Sequence, residues 1–188
     1  PELYHLQYAA PGSPELAARV QQVLADAGMQ AGNDPRRPLD HGAWVPLRYL
    51  YPDADVPVVQ LALDVGRDAR GQYELGRALA PLRDEGILLI GSGSLTHNLR
   101  DVRMPHGAPA VDYVPAFQDW YARHVAAGDI DGLLDWQASA PGAARAHPHD
   151  DHLMPFYVAL GAGGPVRTRL VDEVAYGALA MDAYAFSG

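Results

Sequence analysis

The stretch GSGSLTHNLR at positions 91–100 contains residue types that could support three different chemistries. It follows the apolar run 87–90 (ILLI), which indicates a buried strand leading into a glycine-rich loop. Such a loop can cradle a phosphate, expose a nucleophilic serine or present a histidine for proton transfer. The function to be expected depends on which of the three applies.

Residue spacing argues against the first two chemistries. A Walker-type phosphate loop ends in Gly-Lys-Ser/Thr, and the stretch has no lysine. The dinucleotide fingerprint requires a third glycine where this chain has Thr96, and neither Ser92 nor Ser94 has the flanking glycines of a nucleophile elbow. This leaves proton transfer by His97, in a loop whose glycines allow the backbone to turn sharply. From this motif alone, an ordinary strand-to-helix turn capped by His97 is the favoured interpretation.

Other histidines occur in two suggestive settings. His41 lies in DHGAW, between an acidic residue and a glycine turn, and Trp44 follows it. The segment 147–152 (HPHDDH) could chelate a metal ion, although short histidine-rich loops are often only solvated. The remaining histidines are expected to be structural or surface residues: His5, His106 and His124.

Composition restricts the class of protein. The 188 residues suit one domain spanning 1–188, and a formal charge of −9 argues against nucleic acid as a partner. No apolar run is long enough to span a bilayer, and no secretory signal is recognisable, so no membrane association and a cytoplasmic location are expected. Because the chain has no cysteine, disulfides and thiolate metal sites are excluded.

The order of elements predicts an α/β fold. Ser13 and Pro14 begin a helix that Gly28 ends. The apolar runs 56–63 and 87–90 flank a helical pattern at 73–82, which is typical of a β-α-β unit with parallel strands.

The second half of the chain is mainly helical in pattern, with a strand pair at its end. Residues 111–138 and 151–160 are predicted to be helical, and the segments 166–172 and 178–186 to pair antiparallel. We therefore expect a single layered domain with a central, mostly parallel or mixed sheet flanked by helices. Ligands of such sheets bind beyond the carboxyl ends of the strands, where GSGSLTH is predicted to lie.

Taken together, these segments resemble class III extradiol ring-cleavage dioxygenases, in particular the subgroup similar to 4,5-DOPA extradiol dioxygenase. The matching segments are PELYHLQYAAPGSPELA, LDHGAWVPLRYLYPDADVPVVQLALD, LRDEGILLIGSGSLTHNLRD and AHPHDDHLMPFYVALGA. The motifs DHG-x-W, GSGS-x-THNL and HP-x-x-[DE]H-L-x-P are specific in this order, although each alone would be weak.

The resemblance implies roles for individual residues. His97 matches the histidine that takes a proton from the catechol, a position also described as a metal ligand in some members. His152 matches a histidine metal ligand, and Asp151 replaces the more usual glutamate beside it. His41 matches a pocket histidine that steers the substrate or oxygen. Trp44 and Ser94 are expected in the substrate pocket.

The resemblance also implies the cofactor and the partners. Fe(II) is the expected catalytic metal because zinc has no redox chemistry, although zinc could occupy the site in a purified protein. The substrates would be a small, DOPA-like catechol and O2. A histidine suits removal of the phenolic proton because its ordinary pKa is about 6.5.

One departure from the family pattern qualifies this prediction. Family members begin with a strand bearing an HGSP-like motif, followed downstream by a second N-terminal histidine, and these metal ligands are not found here. We therefore expect an incomplete form lacking that strand, whose exposed sheet edge would favour a homo-oligomer. The alternatives are a catalytically inactive remnant that serves as a binding or assembly module, and a zinc-binding hydrolase-like protein.

Overall fold

The computed structural model describes residues 6–188, so the expected surface position of His5 lies outside the described residues. Within this range the chain forms helices and short strands, which confirms the predicted α/β class. The residues group into two compact units, 6–62 and 63–188. The interpretation of 1–188 as one domain stays a prediction.

The unit 6–62 contains helices α1 (Pro14–Asp26) and α2 (His41–Leu50). As predicted, the Ser13 hydroxyl caps α1 by accepting a hydrogen bond from the Leu16 amide at 3.1 Å. Gly28, with φ of +75°, follows the end of α1. The sequence pattern did not reveal α2, because Pro46 lies inside it and turn-forming residues precede it.

The unit 63–188 is mainly helical. Its helices are α3 (Ala69–Leu79), α4 (Pro81–Asp84), α5 (Tyr113–Ala127), α6 (Ile130–Leu134), α7 (Trp136–Ser139), α8 (Ala143–Ala146) and α9 (Met154–Ala162), with a 3-10 turn at Leu99–Asp101. The predicted helical character of 111–138 and 151–160 is therefore confirmed, although α9 begins three residues later than expected.

Buried aromatic and aliphatic side chains of α5 lie at the centre of the core in this unit. Val114, Phe117 and Tyr121 have no exposed surface, and neither have Leu133 of α6 and Tyr157 of α9. Since each fully buried side chain of this size stabilises the fold by about 1.5–3 kcal/mol, α5 is the main structural support of the unit.

Two glycines allow α3 and α9 to cross at close range. A methyl group at Gly76 would overlap the carbonyl oxygen of Val158, and one at Gly161 would overlap that of Tyr73. The backbones of the two helices are therefore in direct contact, which fixes the position of α9 and of the residues just before it.

The strands form two small antiparallel pairs. These strands are β1 (Val166–Val171), β2 (Val174–Ala175), β3 (Leu179–Ala180) and β4 (Ala183–Ser187). Strand β1 pairs with β4 and β2 pairs with β3, in agreement with the predicted antiparallel pairing near the end of the chain.

The expected parallel sheet is a point of difference. Within the described residues neither 56–63 nor 87–90 forms a strand, and the strands that do form pair antiparallel. The backbone donors of these runs are used elsewhere: the Ile87 amide donates to Leu82 at 3.2 Å, and the Val58 amide donates to Pro11 at 2.8 Å. Apolar composition signals a preference for burial, but a strand also requires a neighbouring backbone to bond with.

None of the helices within residues 6–188 combines the length and the apolar character needed to cross a bilayer.

Candidate active site

The glycine-rich loop 91–98 packs directly on the residues that lead into α9. A methyl group at Gly91 would overlap the carbonyl oxygen of Pro155, and one at Gly93 would overlap that of His152. The Ser94 amide donates a hydrogen bond to the same His152 oxygen at 2.9 Å. The glycines thus make room for another segment of backbone.

Thr96 connects the loop to β3 on another side. Its hydroxyl donates to the carbonyl of Ala178 at 2.8 Å and accepts from the amide of Ala180 at 2.8 Å. The Leu95 amide adds a bond to the Ala180 carbonyl at 2.9 Å. Because Thr96 is fully buried, this hydroxyl is essential for satisfying polar backbone groups there. The residue that argued against a nucleotide site therefore has a structural role.

The end of α8 forms the third support of the loop. The His97 amide donates to the Ala146 carbonyl at 2.9 Å, and the Asn98 side chain donates to the Arg145 carbonyl at 2.8 Å. The ring of His147 is buried and its Nε2 lies 2.8 Å from the Leu95 carbonyl, so Nε2 carries the proton and donates it. Burial also lowers the pKa of His147, which favours the neutral ring.

These contacts bring His97 and His152 together. Their rings stack with centroids 3.6 Å apart and planes within 7° of parallel, and both side chains are half-buried. His97 comes from the glycine-rich loop and His152 from the turn before α9, so the close approach at Gly93 determines their spacing. Two imidazoles in contact, one of them beside a carboxylate, are suited to proton transfer to and from a bound ligand.

The carboxylate beside the stacked histidine pair belongs to Asp151. One of its oxygens lies 3.1 Å from Nδ1 of His152. Burial would raise the pKa of Asp151, but the adjacent imidazole of His152 outweighs burial and holds the pKa below its ordinary value. An ionised carboxylate at this distance orients the His152 ring, as carboxylates beside metal-ligating histidines commonly do.

A shared metal ion does not fit the two rings as they are placed. The lone pair of an imidazole nitrogen lies in the ring plane, and a bound ion lies about 2.0–2.1 Å from that nitrogen. Because the planes are parallel and the centroids are 3.6 Å apart, an ion in the plane of one ring would lie well outside the plane of the other, where the lone pairs of that ring do not point. Within residues 6–188, no group of three or more His, Asp and Glu side chains is placed to hold a metal. His152 alone has the chemistry of a ligand, with Asp151 at one nitrogen.

The other predicted site residues are His41, Trp44 and Ser94. His41 is the exposed first residue of α2, and Trp44 lines a cavity, both in the 6–62 unit. The Ser94 hydroxyl lies 2.7 Å from the Thr96 carbonyl and 3.1 Å from that of Ala180, which engages its proton within the protein. Substrate contact by these three residues stays a prediction.

Sequence reasoning missed the supporting roles of Thr96, Asn98 and His147. The HP pair at 147–148 was the only signal for the buried imidazole, and it does not identify a partner. The bonds of Thr96 and Asn98 depend on segments between 47 and 84 residues away in the chain, which spacing within a motif cannot indicate.

Comparison with known proteins identifies the family of this chain. Residues 2–186 match the family described as the catalytic LigB subunit of aromatic ring-opening dioxygenase. The chain is 45% identical to 4,5-DOPA dioxygenase extradiol of Beta vulgaris over 86% of its own length, and 36% identical to the protein of the same name from Mirabilis jalapa over 98%. It spans 60% of the Beta vulgaris protein and 70% of the Mirabilis jalapa protein.

A solved structure has the same fold. The crystal structure of an uncharacterized protein from Escherichia coli K12 superposes with a TM-score of 0.86 at 33% sequence identity. The match covers 97% of this chain and 77% of that one.

Proposed function

Because this chain belongs to the family of the catalytic LigB subunit of aromatic ring-opening dioxygenases, we propose that it carries an extradiol ring-opening site in which His97 moves the proton and His152 binds the metal. The substrates would be a small, DOPA-like catechol and O2. The reaction would break the carbon–carbon bond beside the diol and place one oxygen atom on each new end, giving a semialdehyde with a carboxylate. The observation that carries the proposal is the stacked pair of His97 and His152 on the glycine-rich loop.

His97 is the proposed base. A catechol is a weak acid at neutral pH, so a neutral imidazole that accepts one phenolic proton prepares the ring for attack. The His97 amide is bonded to Ala146 and the loop is bonded to β3 through Thr96, so the backbone that carries this imidazole is fixed on two sides. A base held in position lowers the barrier by removing the need to orient it during the reaction.

His152 is the proposed metal ligand, with Asp151 orienting its ring. A redox-active divalent metal such as Fe(II) would, when bound, supply the activation of O2. Since the stacked rings do not share an ion as placed, the two histidines would divide the roles: His152 would bind the metal and His97 would move the proton.

The test is oxygen consumption by the chain after anaerobic loading with Fe(II), using L-DOPA and simpler catechols. We expect oxygen uptake with formation of an absorbing semialdehyde. His97→Gln should abolish turnover while bound iron, measured by elemental analysis, is retained. His149→Gln is the matched control, because His149 is an exposed histidine a few residues from His152.

Two results would contradict the proposal. If iron-loaded protein consumes no oxygen with any catechol, ring opening is excluded, and a binding module or a zinc-dependent hydrolase becomes the better interpretation. If His97→Gln loses its iron as well as its activity, His97 is a ligand and the division of roles is wrong.

A further inference from the structure

The 6–62 unit contains a cavity of about 470 Å³ whose lining includes neither His97 nor His152. This volume lies within the range of about 300–1,000 Å³ that is typical of small-molecule sites. Its lining combines a cation, two aromatic rings and aliphatic side chains, the principal members being Leu6, Tyr8, Arg37, Leu39, Trp44 and Val58.

Arg37 is the charged member of the lining. Among residues 6–188 its guanidinium has no carboxylate partner. The nearby acid Asp40 is already engaged, since its side chain accepts hydrogen bonds from Gln60 at 2.8 Å and from the Ala43 amide at 3.2 Å. In a chain with a formal charge of −9, a cation facing a cavity without a protein partner is available to an anionic ligand.

Hydrogen bonds within the unit position the two aromatic members, through the side chain of Tyr8 and through the backbone of Trp44. The Tyr8 hydroxyl donates to the Tyr51 carbonyl at 2.9 Å, so its proton is used within the protein. Trp44 lies in the first turn of α2, where its amide donates to the Asp40 carbonyl at 2.9 Å. The Tyr8 ring, held through its hydroxyl, loses little freedom when a second aromatic group packs against it.

We propose that this cavity binds a small aromatic carboxylate, with the carboxylate on Arg37 and the ring against Trp44 and Tyr8. A guanidinium presents paired N–H donors that match the two oxygens of a carboxylate. Leu39 and Val58 complete the apolar surface that an aromatic ring needs. The proposal is independent of ring opening, because it concerns residues other than His97 and His152 and requires no reaction.

The test uses two phenols whose aromatic rings an extradiol enzyme cannot open, because neither carries two adjacent hydroxyl groups. One is 3-(4-hydroxyphenyl)propionate and the other is 4-ethylphenol, which keeps the ring and lacks the carboxylate. Titration calorimetry on the 188-residue chain should give a Kd for the acid about tenfold lower than for 4-ethylphenol. Arg37→Gln should raise the Kd of the acid by about tenfold and leave that of 4-ethylphenol unchanged.

Arg36→Gln is the matched control, because it removes the same charge from the adjacent residue, which is exposed as Arg37 is but does not line the cavity. It should change the Kd of the acid by no more than about twofold, since a charge outside the cavity acts on the ligand only through screening solvent. Equal affinity for the two phenols would overturn the proposal, as would equal loss of acid binding in both arginine variants. Because no catechol is involved, the result is independent of whether the chain opens rings.

Discussion

The backbone of Gly93 lies directly against the carbonyl oxygen of His152, at a distance that leaves no room for a side chain. The amide of the next residue, Ser94, donates to that same oxygen. The glycine-rich loop is therefore attached to the residue that carries the second imidazole, and the stacking of His97 on His152 depends on this contact.

Gly93→Ala should displace the loop from His152. The added methyl group must push apart two backbones, so we expect the free energy of unfolding to fall by about 2 kcal/mol and any ring-opening rate to fall with it. Thermal unfolding and oxygen uptake measure the two effects. Gly107→Ala is the control, because a methyl group there meets nothing within 4 Å. Similar behaviour of the two variants would show that the close approach is unimportant.

His147 should make the stability of the chain depend on pH. Burial lowers its pKa in the folded state, so as the pH falls the unfolded chain takes up the proton first. The stabilisation is therefore fully present above about pH 6.5, the ordinary pKa of histidine, and is lost as the pH falls towards the lower folded pKa. One such group changes the free energy of unfolding by at most about 1.4 kcal/mol per pH unit.

Urea unfolding between pH 5 and 8, a range chosen to bracket the ordinary histidine pKa of about 6.5, measures this slope. His147→Gln keeps a donor for the Leu95 carbonyl and removes the titration, so its free energy of unfolding should decline less steeply below pH 6.5 than that of the wild type. His149→Gln is the control for the loss of an exposed imidazole from the same segment. A wild-type slope in His147→Gln would refute this assignment.

Two buried tyrosines should differ in their tolerance of substitution. The Tyr157 hydroxyl donates to the Leu133 carbonyl at 2.8 Å, so the 2.6 Å contact between the two hydroxyls uses the proton of Tyr121. Tyr157→Phe leaves both the Tyr121 hydroxyl and the Leu133 carbonyl without this partner, whereas Tyr121→Phe leaves the bond to Leu133 intact. We expect a loss of about 2–3 kcal/mol for the first variant and about 1 kcal/mol for the second.

Urea unfolding at neutral pH is the appropriate measurement, because burial raises the pKa of both hydroxyls and keeps them protonated there. If the two variants lose equal stability, the direction of donation inferred here is incorrect.

Local signals predicted local structure well. Ser13, Pro14 and Gly28 bound α1, and alternation near the end of the chain predicted the antiparallel strands. The runs 56–63 and 87–90 were predicted to be strands because their residues are apolar, yet Leu88 is 66% exposed and the runs carry no ladder within the described residues. Strand formation depends on a partner that a local pattern does not contain.

The candidate site was likewise predictable from the sequence only in part. Resemblance and spacing identified His97 and His152 as candidates, and the structure places their rings in contact. What spacing could not predict was their parallel orientation, which depends on Gly93 meeting the backbone of a residue 59 positions later. The resemblance left open whether His97 is a base or a metal ligand. Because parallel rings do not direct their lone pairs at a common point, their orientation supports the proposal that His152 is the ligand and His97 the base.

Asp151→Asn tests this division of roles most directly. The ionised carboxylate 3.1 Å from Nδ1 of His152 orients the ring, and its pKa is held low by that imidazole, so it stays charged at neutral pH. An amide of the same size carries no charge, so we expect the affinity for Fe(II) and the ring-opening rate to fall by about tenfold to a hundredfold. Asp151→Glu keeps the charge and should retain most of both properties.

Asp150→Asn is the matched control, because it removes the same charge one residue away and should leave iron affinity and rate near those of the wild type. Iron binding is measured by anaerobic titration and the rate by oxygen uptake. Loss of activity in Asp151→Asn with undiminished iron binding would place Asp151 in proton transfer with the stacked pair. Equal losses in both asparagine variants would attribute the effect to the net charge of the loop.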